Sequence, residues 1–279
     1  MILFTHPDEW KALRSKVFTS AGSVGYVPTM GALHAGHGSL IERAAKENEI
    51  CVCSIFVNPT QFDRSNDLEA YPRTLSADIE LAKRYGCDAI FAPGVNDIYG
   101  DKVESLRADY GFLTETLEGA ERPGHFDGVV TIVRLLLDAI QADKAYFGEK
   151  DFQQLAIIRE LVRREQIPTE IMPCTLIRDT DGLAMSSRNV RLSPQGRQNA
   201  LAIYRTLKEM AERATKVDPQ MVQHWGQRHL EQQPGVELEY LSVVYADDFQ
   251  EASDWSREVR ALVAAWVDGV RLIDNMALN

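Results

Sequence analysis

Several things are missing from this chain of 279 residues. No window approaches the roughly twenty apolar residues that a membrane-spanning helix needs. The opening MILFTHPDEWKALRSK has only a short apolar start and reads as neither a signal peptide nor an anchor. Cysteine is scarce: four residues, Cys51, Cys53, Cys87 and Cys174, with no C-x-x-C pair. They read as reduced, buried thiols of a cytosolic protein, and the CVC run puts Cys51 and Cys53 on one face of a strand. H-E-x-x-H, G-x-G-x-x-G and the Walker A loop are all absent, which excludes three common metal and nucleotide signatures. An excess of positive charge is missing too. Lys and Arg number 30 against 41 Asp and Glu, a net charge of -11. That balance argues against nucleic acid or an anionic membrane as partner, but a local cluster of cations can still hold an anionic small molecule. Neither repeats nor low-complexity tracts occur.

What is present is ordinary globular composition, 45% apolar and 25% charged, in a length that suits one large domain or two smaller ones. The first part alternates strand and helix. Helices are expected at about 8–16, 37–48, 74–85, 126–140 and 151–164, and strands at 24–28, 50–57, 88–92, 144–147 and 169–175. The run ICVCSIFV is apolar almost throughout, as in a parallel strand covered on both faces. NPTQFDRSNDLEAYPRT reads as a polar connection, and 94–124 as an irregular surface segment with a short strand. Beyond about 176 the pattern becomes two helices (194–215, 219–232) and three strands (236–246, 258–267, 270–275). The expected fold is therefore α/β, a Rossmann-like parallel sheet with helices on both faces, followed by a smaller α+β unit. The division is placed at 1–176 and 177–279.

VPTMGALHAGHGSL carries the first chemistry. Its His34 and His37 could be metal ligands, but no Cys, His or Glu cluster completes a set, and His6, His125, His224 and His229 are scattered. They could also simply pack or cap. A nucleotide reading fits best. A strand ends at Pro28, Met30–Gly31 make a turn, Gly36 and Gly38 leave room for close approach, and a helix begins near His37. The carboxyl end of a strand and the N–H groups of a helix start favour phosphate, and imidazoles there can donate to it.

YFGEKDFQQL places Gly148, Lys150, Asp151, Gln153 and Gln154 after another strand. Lys150 can reach a phosphate, Asp151 a ribose hydroxyl and Gln154 a polar substrate; a solvated strand–helix junction is the plain alternative. In RDTDGLAMSSRN, a turn leads into Ser186, Ser187 and Arg188, a flexible segment able to close over a triphosphate, or else a linker. FVNPTQF sets Asn58 and Gln61 after the central apolar strand, and RPGHFDGV adds Arg122, His125 and Asp127.

Taken in order, PTMGALHAGHGSL, SIFVNPTQF, YPRTLSAD, RPGHFDGV, YFGEKDFQQL, DGLAMSSRN and RLIDN closely resemble the pantothenate synthetase (pantoate–β-alanine ligase) family over nearly the whole chain. HxGH alone would indicate only the wider nucleotidyltransferase-like group. The resemblance implies ATP- and Mg2+-dependent joining of pantoate to β-alanine through a pantoyl adenylate, releasing pyrophosphate and then AMP. It also implies a cytoplasmic homodimer whose C-terminal part is a lid.

Carried over by motif, His34 and His37 become the phosphate-contacting pair. Met30, Asn58, Gln61, Phe147 and Gln154 become pantoate contacts, with Met30 also on the ATP side. Gly148 and Asp151 contact the ribose, Lys150 stabilises developing phosphate charge, and Ser186, Ser187 and Arg188 form the phosphate loop. Mg2+ is expected to ride on the ATP phosphates without a protein ligand set. Arg122 and His125 belong to a family element without an assigned contact.

The chain departs from the family pattern at Leu135 (for lysine, beside Arg134), Thr175 (for proline) and Asp268 (for glycine, before Gly269). Two other functions remain open on the residues: a nucleotidyltransferase that makes a stable dinucleotide, and a non-catalytic nucleotide sensor.

Overall fold

The computed structural model describes residues 1–16, 22–62 and 65–279. Asp63 and Arg64, in the expected polar connection, lie outside the described residues. The chain divides into two compact units: Met1–Glu149 with Gln153–Thr175, and Lys150–Phe152 with Leu176–Asn279.

In the first unit, six strands among the described residues form one sheet: β1 (Ile2–Phe4), β2 (Val24–Thr29), β3 (Ile50–Ile55), β4 (Ala89–Phe91), β5 (Lys144–Gly148) and β6 (Glu170–Cys174). Their order is β1-β4-β3-β2-β5-β6 and every pairing is parallel. Alternate residues feed opposite faces. Tyr26, Ile50, Val52 and Phe147 join one apolar cluster, while Val27, Cys51, Cys53 and Tyr146 join another. A sheet filled on both sides explains why β3 reads as a continuous apolar run. It also puts Cys51 and Cys53 together, as their spacing requires.

From β2 the chain runs outward to β3 and β4 on one side and returns to β5 and β6 on the other. This reversal creates a topological switch point between β2 and β5, and the crevice beyond their carboxyl ends is where such sheets bind ligands.

Two expectations need correcting. The edge strand β1 pairs with β4 through Ile2–Ala89, Leu3–Ile90 and Phe4–Phe91, although its three residues gave no readable alternation. The segment 94–124 holds no strand among the described residues. It contains short helices Val95–Tyr99, Phe112–Glu115 and Glu118–Glu121. Buried Gln153 holds the latter two by donating to the carbonyls of Leu113 and Thr116 and accepting from the Glu118 amide.

The second unit packs helices Pro194–Arg213 and Pro219–Glu231 on an antiparallel sheet β7-β8-β9 (Glu237–Tyr245, Val259–Val267, Val270–Ala277). β8 and β9 are joined at Asp268–Gly269, both at positive φ (52° and 70°), as a tight two-residue hairpin requires. The departure at Asp268 is thus accommodated. Its carboxylate also accepts from the amide and hydroxyl of Ser193, the residue that caps the Pro194–Arg213 helix. Among the described residues no helix is long and apolar enough to cross a membrane.

Candidate active site

The turn leaving β2 is built by hydrogen bonds from below. Thr29 donates its hydroxyl to the carbonyl of Ser54 on β3 and accepts from the Gly31 amide. Ala32 follows with φ 49°, a strained value for a residue with a side chain. Buried Asp78 offsets that cost: one carboxylate oxygen accepts from Ala32 N at 3.1 Å, the other from Leu33 N at 2.7 Å, and Thr74 donates its hydroxyl to both. The sequence marked Asp78 only as part of YPRTLSAD; its role appears once the helix Leu75–Arg84 is placed.

The helix after this turn spans Ala35–Glu47, so it begins before His37, and His34 is its N-cap. His34 Nδ1 accepts from the Gly36 amide at 3.2 Å, and His37 Nδ1 accepts from the His34 amide at 3.3 Å. The ring centroids are 4.1 Å apart. Two histidines thus complete a reciprocal capping box. A ring nitrogen that accepts from a backbone N–H carries no proton, so each neutral ring bears its proton on Nε2. Both imidazoles are therefore set as Nε2–H donors.

Gly38 has a packing role in place of the ligand approach its spacing suggests. A Cβ there would lie 2.3 Å from a ring carbon of Tyr85. A Cβ at Gly148 would meet nothing, so open space borders the end of β5.

Gln61 is held by two neighbouring side chains. Its Nε2 lies 2.8 Å from Met30 Sδ, and its Oε1 accepts from Asn58 Nδ2 at 3.2 Å. Asn58 is 1% exposed and bonds in several directions: to the Gly128 carbonyl, to Thr60 and to the Tyr99 hydroxyl at 2.6 Å. The structure therefore puts Asn58 behind Gln61.

The RPGH element holds the same residue by its backbone. His125 Nδ1 lies 2.7 Å from the Gln61 carbonyl, Arg122 Nη2 donates to it at 3.3 Å, and Arg122 Nη1 is 3.1 Å from His125 Nε2. Arg122 also pairs with buried Glu118 at 3.7 Å. Gly128 lets the helix His125–Ile140 approach the turn Pro59–Gln61, since a Cβ would fall 2.4 Å from the Thr60 carbonyl oxygen. Phe147 is buried in the core and Gln154 is half-buried on the helix Phe152–Glu165.

In the second unit Lys150 and Asp151 form an ion pair at 3.7 Å within the short helical turn Glu149–Asp151. The segment expected to be flexible is a 3-10 turn, Ser187–Arg191, capped by Ser186, whose hydroxyl accepts from the Arg188 amide at 3.3 Å. The hairpin before it pairs Arg178 with Ala184. Among the described residues no three His, Cys, Asp or Glu side chains gather as a metal cage would require.

A parallel sheet with a histidine-capped helix at its switch point, and Gln61 held beside Met30 of the same turn, defines an α/β protein of the ligand-binding, doubly wound class. The comparisons narrow this further. The family model described as Pantoate-beta-alanine ligase matches residues 2–277. A pantothenate synthetase of Cytophaga hutchinsonii is 46% identical over 260 residues, covering 92% of each chain. The structure of pantothenate synthetase from Thermus thermophilus superposes with a TM-score of 0.93 at 41% identity, covering 100% of this chain and 99% of that one. A pantoate-beta-alanine ligase from Francisella tularensis, complexed with beta-gamma ATP and beta-alanine, gives 0.81 at 33% identity, covering 100% and 98%. The chain belongs to the pantoate–beta-alanine ligase family, ligases that form an amide bond.

Proposed function

We propose that this chain condenses (R)-pantoate with β-alanine, consuming ATP and releasing AMP and pyrophosphate. In the first step a pantoate carboxylate oxygen attacks the α-phosphorus of ATP. A new P–O bond forms, the bond to the β-phosphate bridge breaks, and pyrophosphate leaves. In the second step the β-alanine nitrogen attacks the acyl carbon, the C–O bond to AMP breaks, and the nitrogen gives up a proton. Carboxylate and amine do not condense readily in water, because carboxylate oxygen is a poor leaving group; AMP is a good one.

The demand on the protein is to hold two anions together and offset their repulsion. His34 and His37 donate Nε2–H to phosphate oxygens. Lys150 and Arg188 offset the negative charge that develops on the leaving pyrophosphate, and Ser186 and Ser187 add hydroxyl donors. Gly148 and Asp151 take the ribose. Pantoate sits against Met30, Gln61 and Gln154 beside Phe147, with Asn58 acting through Gln61. Mg2+ belongs to this reading only as the counter-ion that ATP brings, a hard cation at home on phosphate oxygens and water.

The same reading gives residues 1–176 the ATP and pantoate contacts and residues 177–279 the role of a lid. It sets the enzyme in the cytoplasm as a homodimer. The observation that carries it is the histidine capping box at the end of β2, in which both Nδ1 atoms accept from backbone amides and the proton of each ring falls on Nε2. An AMP-release assay with each substrate omitted in turn tests it. AMP must appear only when ATP, pantoate and β-alanine are all present; a stable nucleotide adduct formed with another acceptor defeats it.

A further inference from the structure

RLIDN, at the C-terminal strand, has no part in the chemistry so far. Two adjacent buried residues of β9, Asp274 and Asn275, explain its polar letters. The side-chain amide of Asn275 donates to the backbone carbonyl of Lys150 at 2.9 Å. Its Oδ1 accepts from Arg260 Nη1 at 2.8 Å, which fixes which end of the amide faces Lys150. The Arg260 guanidinium in turn lies 4.0 Å from the ring centre of Phe152, and Phe152 packs on Phe249. The three residues Lys150–Phe152 are thus gripped at both ends by the second unit.

Asp274 holds the other segment. It takes both nitrogens of Arg178, at 2.6 and 2.8 Å, and accepts from the Asn275 amide at 2.7 Å. Arg178 also donates to the Gly182 carbonyl and stacks over Tyr204 at 4.3 Å. It thereby anchors the hairpin that delivers Ser186, Ser187 and Arg188. A buried carboxylate in a fork-to-fork pair is geometrically rigid.

We propose that Asp274 and Asn275 are positioning residues that hold Lys150 and the 186–188 turn in one frame, Asn275 by fixing the backbone from which the Lys150 side chain reaches phosphate. This rests on the reading of Lys150 given above. The pair acts on Lys150 and on the 186–188 turn, the phosphate side of the proposed reaction, so its loss is expected to act on turnover and to spare pantoate affinity.

The test is a double-mutant cycle on adenylate formation, followed as pantoate-dependent ATP–pyrophosphate exchange in the full-length protein. Asn275→Ala is expected to lower kcat by about ten- to a hundred-fold, the scale of a misplacement near 1 Å, with the KM for pantoate unchanged. Asn275→Asp, which keeps the size and the Arg260 partner but sets a carboxylate against the Lys150 carbonyl, falls alike and serves if the alanine variant folds poorly. In a Lys150→Ala background the same substitutions cost less than about three-fold, because residues acting through one another are not additive. Equal losses in both backgrounds overturn the proposal, as does near-normal kcat in both Asn275 variants. If Lys150→Ala alone keeps full exchange activity, the assignment of Lys150 fails and takes this proposal with it, a result the cycle separates from failure at Asn275 alone.

Discussion

His34 answers to two requirements at once. As the N-cap it satisfies a backbone amide that would otherwise go unpaired, and in the proposed reaction its second nitrogen donates to phosphate. The two duties separate by substitution. Asparagine is an equally good cap but has no Nε2–H, so His34→Asn is expected to keep the unfolding free energy within about 1 kcal/mol while lowering adenylate formation by roughly a hundred-fold or more. Urea denaturation beside an exchange assay checks both. A variant that loses stability and activity together shows that capping is the histidine's whole contribution. The histidines were legible from their spacing, whereas Asp78 and Asn275 were not. Each acts on a backbone group 45 or more positions away in sequence, Asp78 at Leu33 and Asn275 at Lys150, and no local pattern records such a partner.

At the scale of elements, the sequence was strongest where burial leaves a long apolar run or a helical period. The near-continuous apolar runs of β2, β3 and β5 and the helical spacing of Leu40, Ile41 and Ala44 placed those elements to within a few residues. It was weakest where few residues are involved, as at β1, or where caps and side-chain bonds shape short turns, as between 94 and 124. The RPGHFDGV element had no contact assigned from sequence; its structural work is to brace the Pro59–Gln61 turn. Gly128→Ala would force a methyl group into the Thr60 carbonyl, and is expected to cost about 1–3 kcal/mol as overpacking and to raise the KM for pantoate more than that for ATP. Substrate-specific kinetics check the direction; an equal rise in both constants removes Gln61 from the explanation.

The helix Phe152–Glu165 offers a second check. Arg163 and Arg164 donate to Glu160 and hold its carboxyl down at about 2. A depressed carboxylate stabilises the fold fully above its unfolded value of about 4.3 and loses that contribution as pH falls toward 2. The melting-temperature gap between wild type and Glu160→Gln is therefore expected to be constant above about pH 5 and to close as pH drops through that window. A gap independent of pH shows that the ion pairs add nothing.

For the molecule as a whole, the acidic balance and the cationic candidates Lys150, Arg122 and Arg188 coexist because the net charge of -11 is a sum over the entire chain. Composition excluded partners well and said nothing of where cations gather. It also gave the state of the thiols: Cys51, Cys53, Cys87 and Cys174 are all buried, and burial pushes the Cys53 and Cys174 thiols up. The native protein is expected to show almost no reaction with a colorimetric disulfide reagent and four reactive thiols after denaturation. Rapid labelling of the native protein contradicts that burial.

The three residues Lys150–Phe152 belong to the second unit while the chain on either side, Glu149 and Gln153, belongs to the first. The second unit is consequently not a detachable C-terminal cassette. A chimera spliced at residue 175 would separate Lys150 from the Asn275 and Arg260 of its own lineage, so recombination between relatives can exchange this part of the molecule only by carrying a second, internal segment with it.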